Sequence, residues 1–92
     1  MLITTRSGAR EPFNADKVAQ TVRSLFAAQA RERYPLNMVV QRVYDLLLNV
    51  DEDPTTDTVQ DAIEYALLTY GEVEIVRSFM RQRLLVELRH AQ

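Results

Sequence analysis

The sequence predicts an α+β fold in which an N-terminal β-hairpin packs on a bundle of four helices. The first residues are short and β-branched, and Ser7 and Gly8 supply a turn, a pattern typical of a hairpin. Four later stretches repeat apolar residues at helical spacing between capping residues and helix breakers. Because hydrophobic residues make up 47% of the 92 residues, we expect a single ordered domain over residues 1–92.

The hairpin is predicted to span residues 2–13, with Ser7 and Gly8 as a two-residue loop. A hairpin alone is marginal in water, so we expect it to pack on the helices. Residues 50–55 are a candidate third strand of the same small sheet. The predicted register pairs Arg6 with Ala9, Thr5 with Arg10, Thr4 with Glu11 and Leu2 with Phe13.

Four helices are predicted after the hairpin. Asn14 is a good N-cap for the first, Thr55 or Thr56 for the third, and Gly71 closes the third. An acidic segment ending in Pro54 separates the second helix from the third. The apolar residues of the four predicted helices are Val18, Val22, Leu25 and Phe26; Val39, Val40, Val43, Tyr44, Leu47 and Leu48; Val59, Ile63, Ala66, Leu67 and Tyr70; and Ile75, Val76, Phe79, Met80 and Leu84.

Composition excludes several functional classes. A net charge of −2 argues against a dedicated nucleic-acid binder, which usually carries a basic excess. The absence of cysteine excludes disulfides, zinc ribbons and thiol catalysis. The N-terminus is too short and polar for a signal peptide, and no apolar run is long enough to span a bilayer. We therefore expect a cytoplasmic protein that binds neither nucleic acid nor membrane.

The usual catalytic constellations are missing from the sequence. His90, the only histidine, lies near the C-terminus without a nucleophile partner. Two glycines are too few for a dinucleotide fingerprint or a Walker-type phosphate loop. The acidic residues 51–53 can hold a divalent ion, but such runs are more often solvated loops. The sequence thus predicts that the protein is not an enzyme and has no metal site.

Three motifs follow one another at suitable spacing. Residues 3–17 combine an aliphatic strand, a basic residue, a glycine turn, Glu, Phe, a helix cap and a lysine. Residues 55–61 form a Thr-rich cap followed by Val-Gln, and residues 70–79 place a glycine before an aliphatic-Arg helix that continues to Arg83. Together these motifs resemble the ATP-cone family. The resemblance implies a regulatory domain that binds ATP or dATP, with Mg²⁺, and performs no chemistry of its own.

Physical chemistry supports a nucleotide site at the first motif. A triphosphate needs several cations and hydrogen-bond donors that converge on one place. Arg6 on the hairpin and Lys17 one turn into the first helix supply them, beside a helix N-terminus whose dipole favours anions. Glu11 and Asn14 suit the edge of an adenine or a ribose.

Other candidate site residues lie on the later helices. Thr56 can donate to a phosphate oxygen, Gln60 lies one turn further along, and the resemblance adds Arg83. Purely structural roles remain open for several candidates. Arg6 and Glu11 can form a diagonal cross-strand ion pair, Asn14 and Thr56 can act as N-caps alone, and Lys17 can be an ordinary solvated residue.

The chain departs from the family pattern at two positions. Thr5 replaces the lysine of the usual Lys-Arg pair, and Ser7 replaces an Asp or Asn in the turn. The lost lysine would weaken phosphate binding by one charge-assisted hydrogen bond, about 1.5–3 kcal/mol. In the predicted register Arg10 lies across from Thr5 on the same face, so Arg10 is a candidate compensating cation.

The resemblance implies that nucleotide occupancy changes an association state. The domain precedes the catalytic domain in ribonucleotide reductases and follows a zinc ribbon in a repressor of their genes. Since the chain has no cysteine for either chemistry, we expect a stand-alone or excised cone that forms a homo-oligomer or binds a reductase-type partner. The alternative is a degenerate cone that acts as a protein–protein interaction module. The apolar residues Leu84, Leu85, Val86 and Leu88 favour it.

Overall fold

The computed structural model describes residues 1–50 and 52–90, and its architecture is the predicted α+β fold. Helix α1 packs against α2 and α4, and α3 packs against the same two neighbours. The antiparallel hairpin precedes this bundle in the chain. The elements are β1 Leu2–Thr4, β2 Arg10–Pro12, α1 Ala15–Ala28, α2 Leu36–Leu48, α3 Thr56–Thr69 and α4 Val73–His90.

The hydrophobic core lies between the helices, and all four contribute to it. Its largest fully buried side chains are Phe26, Leu25, Leu67, Ile75, Val22, Val39 and Val43. Met80 and Leu84, which continue the predicted apolar stripe of α4, are instead 52% and 59% exposed. Each four-residue step from Val76 turns about 40° further round the helix, because an α-helix has 3.6 residues per turn. The second half of α4 therefore turns its apolar residues away from the core.

Local capping signals correctly predict where α1 and α3 begin. The side-chain oxygen of Asn14 accepts hydrogen bonds from the backbone N–H groups of Asp16 at 3.0 Å and Lys17 at 3.3 Å. Thr55, and not Thr56, caps α3 through a reciprocal capping box with Thr58. The two caps satisfy backbone N–H groups in the first turns of α1 and α3.

The hairpin register differs by one residue from the predicted register. The loop contains three residues, because the Thr5 N–H donates to the Ala9 carbonyl at 2.8 Å and the Gly8 N–H donates to the Thr5 carbonyl at 2.9 Å. Gly8 has a φ of +87°, the left-handed conformation that closes a three-residue hairpin loop. The observed pairs are Leu2 with Pro12, Ile3 with Glu11, and Thr4 with Arg10.

This shift reverses the predicted relation between Thr5 and Arg10. Side chains alternate between the faces of a strand, so a one-residue slip exchanges the faces. Arg10 lies opposite Thr4, and Ile3, which is buried, lies opposite Glu11. The premise that placed Arg10 across from Thr5 on one face is therefore wrong.

The segment before α3 touches the hairpin without forming a strand. The Thr4 N–H donates to the Pro54 carbonyl at 3.0 Å, and Thr4 and Thr55 form an isolated parallel bridge. Within residues 1–50 and 52–90 the sheet has two strands. Asp51, one residue of the candidate third strand, lies outside the described residues.

Candidate functional site

A cleft of about 200 Å³ lies where the hairpin meets the first turns of α1 and α3. Its floor includes the buried side chains of Ile3 and Val18, and polar residues surround them. Four of the seven candidate binding residues line it, namely Glu11, Asn14, Lys17 and Thr56. An apolar floor with a few convergent polar groups is the usual composition of a small-molecule site.

A second cavity of about 160 Å³ adjoins the cleft between α1, α3 and α4. Lys17, Val18, Thr56 and Val59 line both spaces, so the two are neighbours. Gln60 lines the second cavity, and its side-chain oxygen is buried without a hydrogen-bond partner in the structure. A buried acceptor of this kind usually has a partner, so Gln60 can accept a hydrogen bond from a bound group.

Lys17 reaches back from α1 to the hairpin. Its Nζ lies 3.9 Å from Glu11 Oε2, and the two side chains are 72% and 55% exposed. An ion pair this long and this exposed contributes little to folding. Both groups are therefore available to a ligand at low cost.

The first turns of two helices carry the remaining polar groups of the cleft. The Asn14 cap uses the side-chain oxygen, and the amide nitrogen takes no part in it. Thr56 is the first residue of α3, and its hydroxyl is not required by the capping box of Thr55 and Thr58. Because helix N-termini carry partial positive charge, an anion is favoured close to these two helix ends.

Arg6 lies outside the cleft lining and points to α4. Its Nη2 donates to Glu87 Oε1 at 2.8 Å and lies 3.6 Å from Asp57 Oδ1. The cross-strand ion pair considered as an alternative for Arg6 and Glu11 does not form in the structure, because Glu11 pairs with Lys17 instead. The three-residue loop explains the difference, since it carries Arg6 beyond the ends of the paired strands.

Arg83 lies in a groove between α3 and α4, away from the cleft. Its Nη1 donates to Asp61 Oδ1 and to Glu64 Oε1, both at 2.8 Å, and its Nη2 lies 3.9 Å from Asp57 Oδ1. Burial alone would lower the pKa of Arg83, but the hydrogen bonds to these carboxylates raise it above its ordinary value. The structure thus surrounds Arg83 with acids and does not bring it into the cleft.

Arg10 also has a carboxylate partner. Its Nη2 donates to Asp53 Oδ2 at 2.6 Å, on the segment that leads into α3. Thr5, in contrast, lines the cleft, and its hydroxyl lies 3.0 Å from the Ser7 hydroxyl. Arg10 is therefore paired with Asp53 and is not among the residues that line the cleft.

The acidic partners of these arginines were missed at the level of sequence. Asp57, Asp61 and Glu64 follow the i, i+4, i+7 spacing of one helix face, a pattern that predicts an acidic stripe on α3. That spacing was a usable signal. The contact between Arg6 and Glu87 had none, because 81 residues separate them.

Neither a metal-binding cluster nor a membrane-spanning helix is found in the part of the chain that the structure describes. No group of three His, Cys, Asp or Glu side chains among residues 1–50 and 52–90 is placed to hold a metal ion. Asp51, part of the acidic run considered as a divalent-ion site, lies outside these residues. In the same part of the chain, no helix is both long and apolar enough to cross a membrane.

Comparison with known families identifies the family of the chain. Residues 1–86 match the family model of the ATP cone domain. The match includes the hairpin, the three helices that follow it and most of α4, and thus every candidate binding residue. A comparison with individually curated proteins finds no match.

Proposed function

Because the chain belongs to the ATP-cone family of nucleotide-binding regulatory domains, we propose that it binds ATP or dATP and converts occupancy into a change of oligomeric state or partner association. The observation that carries the proposal is the convergence of Glu11, Asn14, Lys17 and Thr56 on one cleft at two helix N-termini. These groups offer the recognition elements that an adenine nucleotide requires.

The base and the phosphates are assigned to different residues. Glu11 and the amide nitrogen of Asn14 supply an acceptor and a donor for the adenine or ribose edge. Lys17 and Thr56 lie where both cavities meet and bind the phosphates, with Arg6 recruited from the hairpin loop. Gln60 serves a group that enters the second cavity.

Mg²⁺ is expected to arrive with the triphosphate. Divalent magnesium usually binds through substrate phosphates and one or two carboxylates. Arg83 already has acidic partners, and a phosphate would have to displace Asp61 and Glu64 from it. We therefore expect Arg83→Ala to alter nucleotide affinity less than Lys17→Ala.

A thermal melt tests the proposal. A ligand that binds only the folded state stabilises it by about 2.7 kcal/mol at a hundredfold excess over Kd. For a domain of this size the melting temperature should rise by about 10 °C or more. ATP or dATP at millimolar concentration should produce this rise, and sulfate at equal ionic strength should produce much less. No nucleotide-specific rise would leave the interaction module as the remaining function.

A further inference from the structure

The C-terminal part of α4 extends beyond the core. All side chains of residues 84–90 are exposed, and the last buried side chain of the helix is Phe79. Leu84, Leu85 and Leu88 are each more than half exposed. Little apolar packing therefore fixes this part of the helix to the domain.

One ion pair ties this segment to the rest of the domain. In the part of the chain that the structure describes, the contact of Arg6 with Glu87 is the sole salt bridge between residues 84–90 and other elements. It joins the hairpin loop directly to α4 over 2.8 Å. A change in the position of the Arg6 side chain would therefore remove this salt bridge from the end of α4.

Arg6 lies at the edge of the cleft. Thr5 and Thr56 both line the cleft. Arg6 follows Thr5 in the chain, and its guanidinium lies 3.6 Å from the carboxylate of Asp57, which follows Thr56. An arginine forms bidentate hydrogen bonds with phosphate as readily as with carboxylate. A phosphate group in the cleft therefore competes with Glu87 for Arg6.

The carboxylates around Arg6 determine what happens to Glu87 when Arg6 leaves it. Two arginines, Arg6 and Arg83, face four carboxylates, which leaves two negative charges in excess. The four carboxylates belong to Asp57, Asp61, Glu64 and Glu87. When Arg6 turns to a phosphate, Glu87 is left near acids of like charge and is repelled.

We infer that nucleotide binding transfers Arg6 from Glu87 to the phosphates and so releases residues 84–90 of α4. The inference rests on the proposed nucleotide site and adds a route from that site to an apolar segment about the length of two helical turns. Coupling is reciprocal, so a change that removes the Glu87 charge and leaves Arg6 in place must tighten nucleotide binding.

A double-mutant cycle measured by calorimetric titration with ATP tests the inference. Glu87→Gln should tighten ATP binding about two- to fivefold, the range expected for losing an exposed ion pair that competes with the ligand. In the Arg6→Ala background the same substitution should change nothing. Glu74→Gln is the matched control, because Glu74 also lies exposed on α4 but pairs with Arg77; it should leave the affinity unchanged.

Hydrogen exchange of the α4 amides gives an independent readout. In the parent protein ATP should speed exchange in residues 84–90, and in Glu87→Gln exchange should be fast before ATP is added. If ATP binds but Glu87→Gln does not tighten it, or tightens it equally in the Arg6→Ala background, the inference is overturned and the proposed function stands. If the parent does not bind ATP, both fail together.

Discussion

Two charged regions at opposite ends of α1 differ in how the protein uses them. At the C-terminal end, Arg31 donates to both Glu72 oxygens at 2.6 and 3.1 Å, and its guanidinium lies 5.2 Å from the Phe26 ring centre. The hydrogen bond to Glu72 raises the pKa of Arg31. At the N-terminal end, Lys17 and Glu11 approach no closer than 3.9 Å.

The residues at one end of α1 stabilise the fold, and those at the other end can bind a ligand. The Arg31 end is a closed unit, because Phe26 is fully buried and stacks on Tyr34 with ring centroids 4.3 Å apart. The hairpin end keeps its polar groups exposed around a cleft, with weak partners that a ligand can replace. Stability and recognition should therefore respond to different substitutions.

The largest expected effect is a loss of folding stability when the packing at the Arg31 end is removed. Phe26→Ala should destabilise the domain by about 3–5 kcal/mol, because it leaves a cavity where a ring packed. Urea denaturation followed by circular dichroism measures the loss. Lys17→Ala is the control and should change stability by less than about 0.5 kcal/mol, as expected for an exposed site. Equal losses in the two variants would contradict the division between the ends.

The next effect concerns the cleft itself. Lys17→Ala should weaken ATP binding about tenfold or more and adenosine binding little, because it removes one charge-assisted bond to phosphate. Titration calorimetry with both ligands measures this. Glu11→Ala removes the other half of the same ion pair and should instead reduce the preference for adenine over guanine. A similar loss for every nucleotide in both variants would show that base and phosphate are not recognised separately.

A smaller gain should follow from Thr5→Lys. Thr5 lines the cleft and Arg10 pairs with Asp53, so the site is one cation short of the family pattern. Restoring the lysine should tighten ATP binding by about 1 kcal/mol or more, roughly fivefold. Arg10→Ala is the control and should leave the affinity unchanged. If Arg10→Ala weakens binding and Thr5→Lys gains nothing, Arg10 supplies the missing cation after all.

Local signals were enough to predict the helices, and long-range contacts were not predictable. The Asn14 cap depends on residues within three positions along the chain, which the sequence displays directly. The predicted hairpin register was wrong because Gly8 can close either a two-residue or a three-residue loop. Only the backbone hydrogen bonds of Thr5 distinguish the two loops. The partner of Arg6 depends on how α4 passes the hairpin loop, which is a property of the packed bundle.

The same distinction applies to the candidate site. The motif of the first helix predicted that Lys17 reaches back to the hairpin, and the structure places it beside Glu11. The position of Arg83 could not be predicted, because its partners Asp61 and Glu64 lie on another helix. Of the candidates in the first motif, Glu11, Asn14 and Lys17 line the cleft, and Arg6 does not.

The most direct test of the account is to map the ATP contact surface on the parent protein by NMR. Titration with ATP should shift the backbone amide resonances around Glu11, Asn14, Lys17 and Thr56 first and most. The amide resonances near Arg31 and Glu72 should not shift, because the side chains there are already paired with each other. Shifts concentrated at the Arg31 end, or no shifts at millimolar ATP, would contradict a nucleotide site in the hairpin cleft.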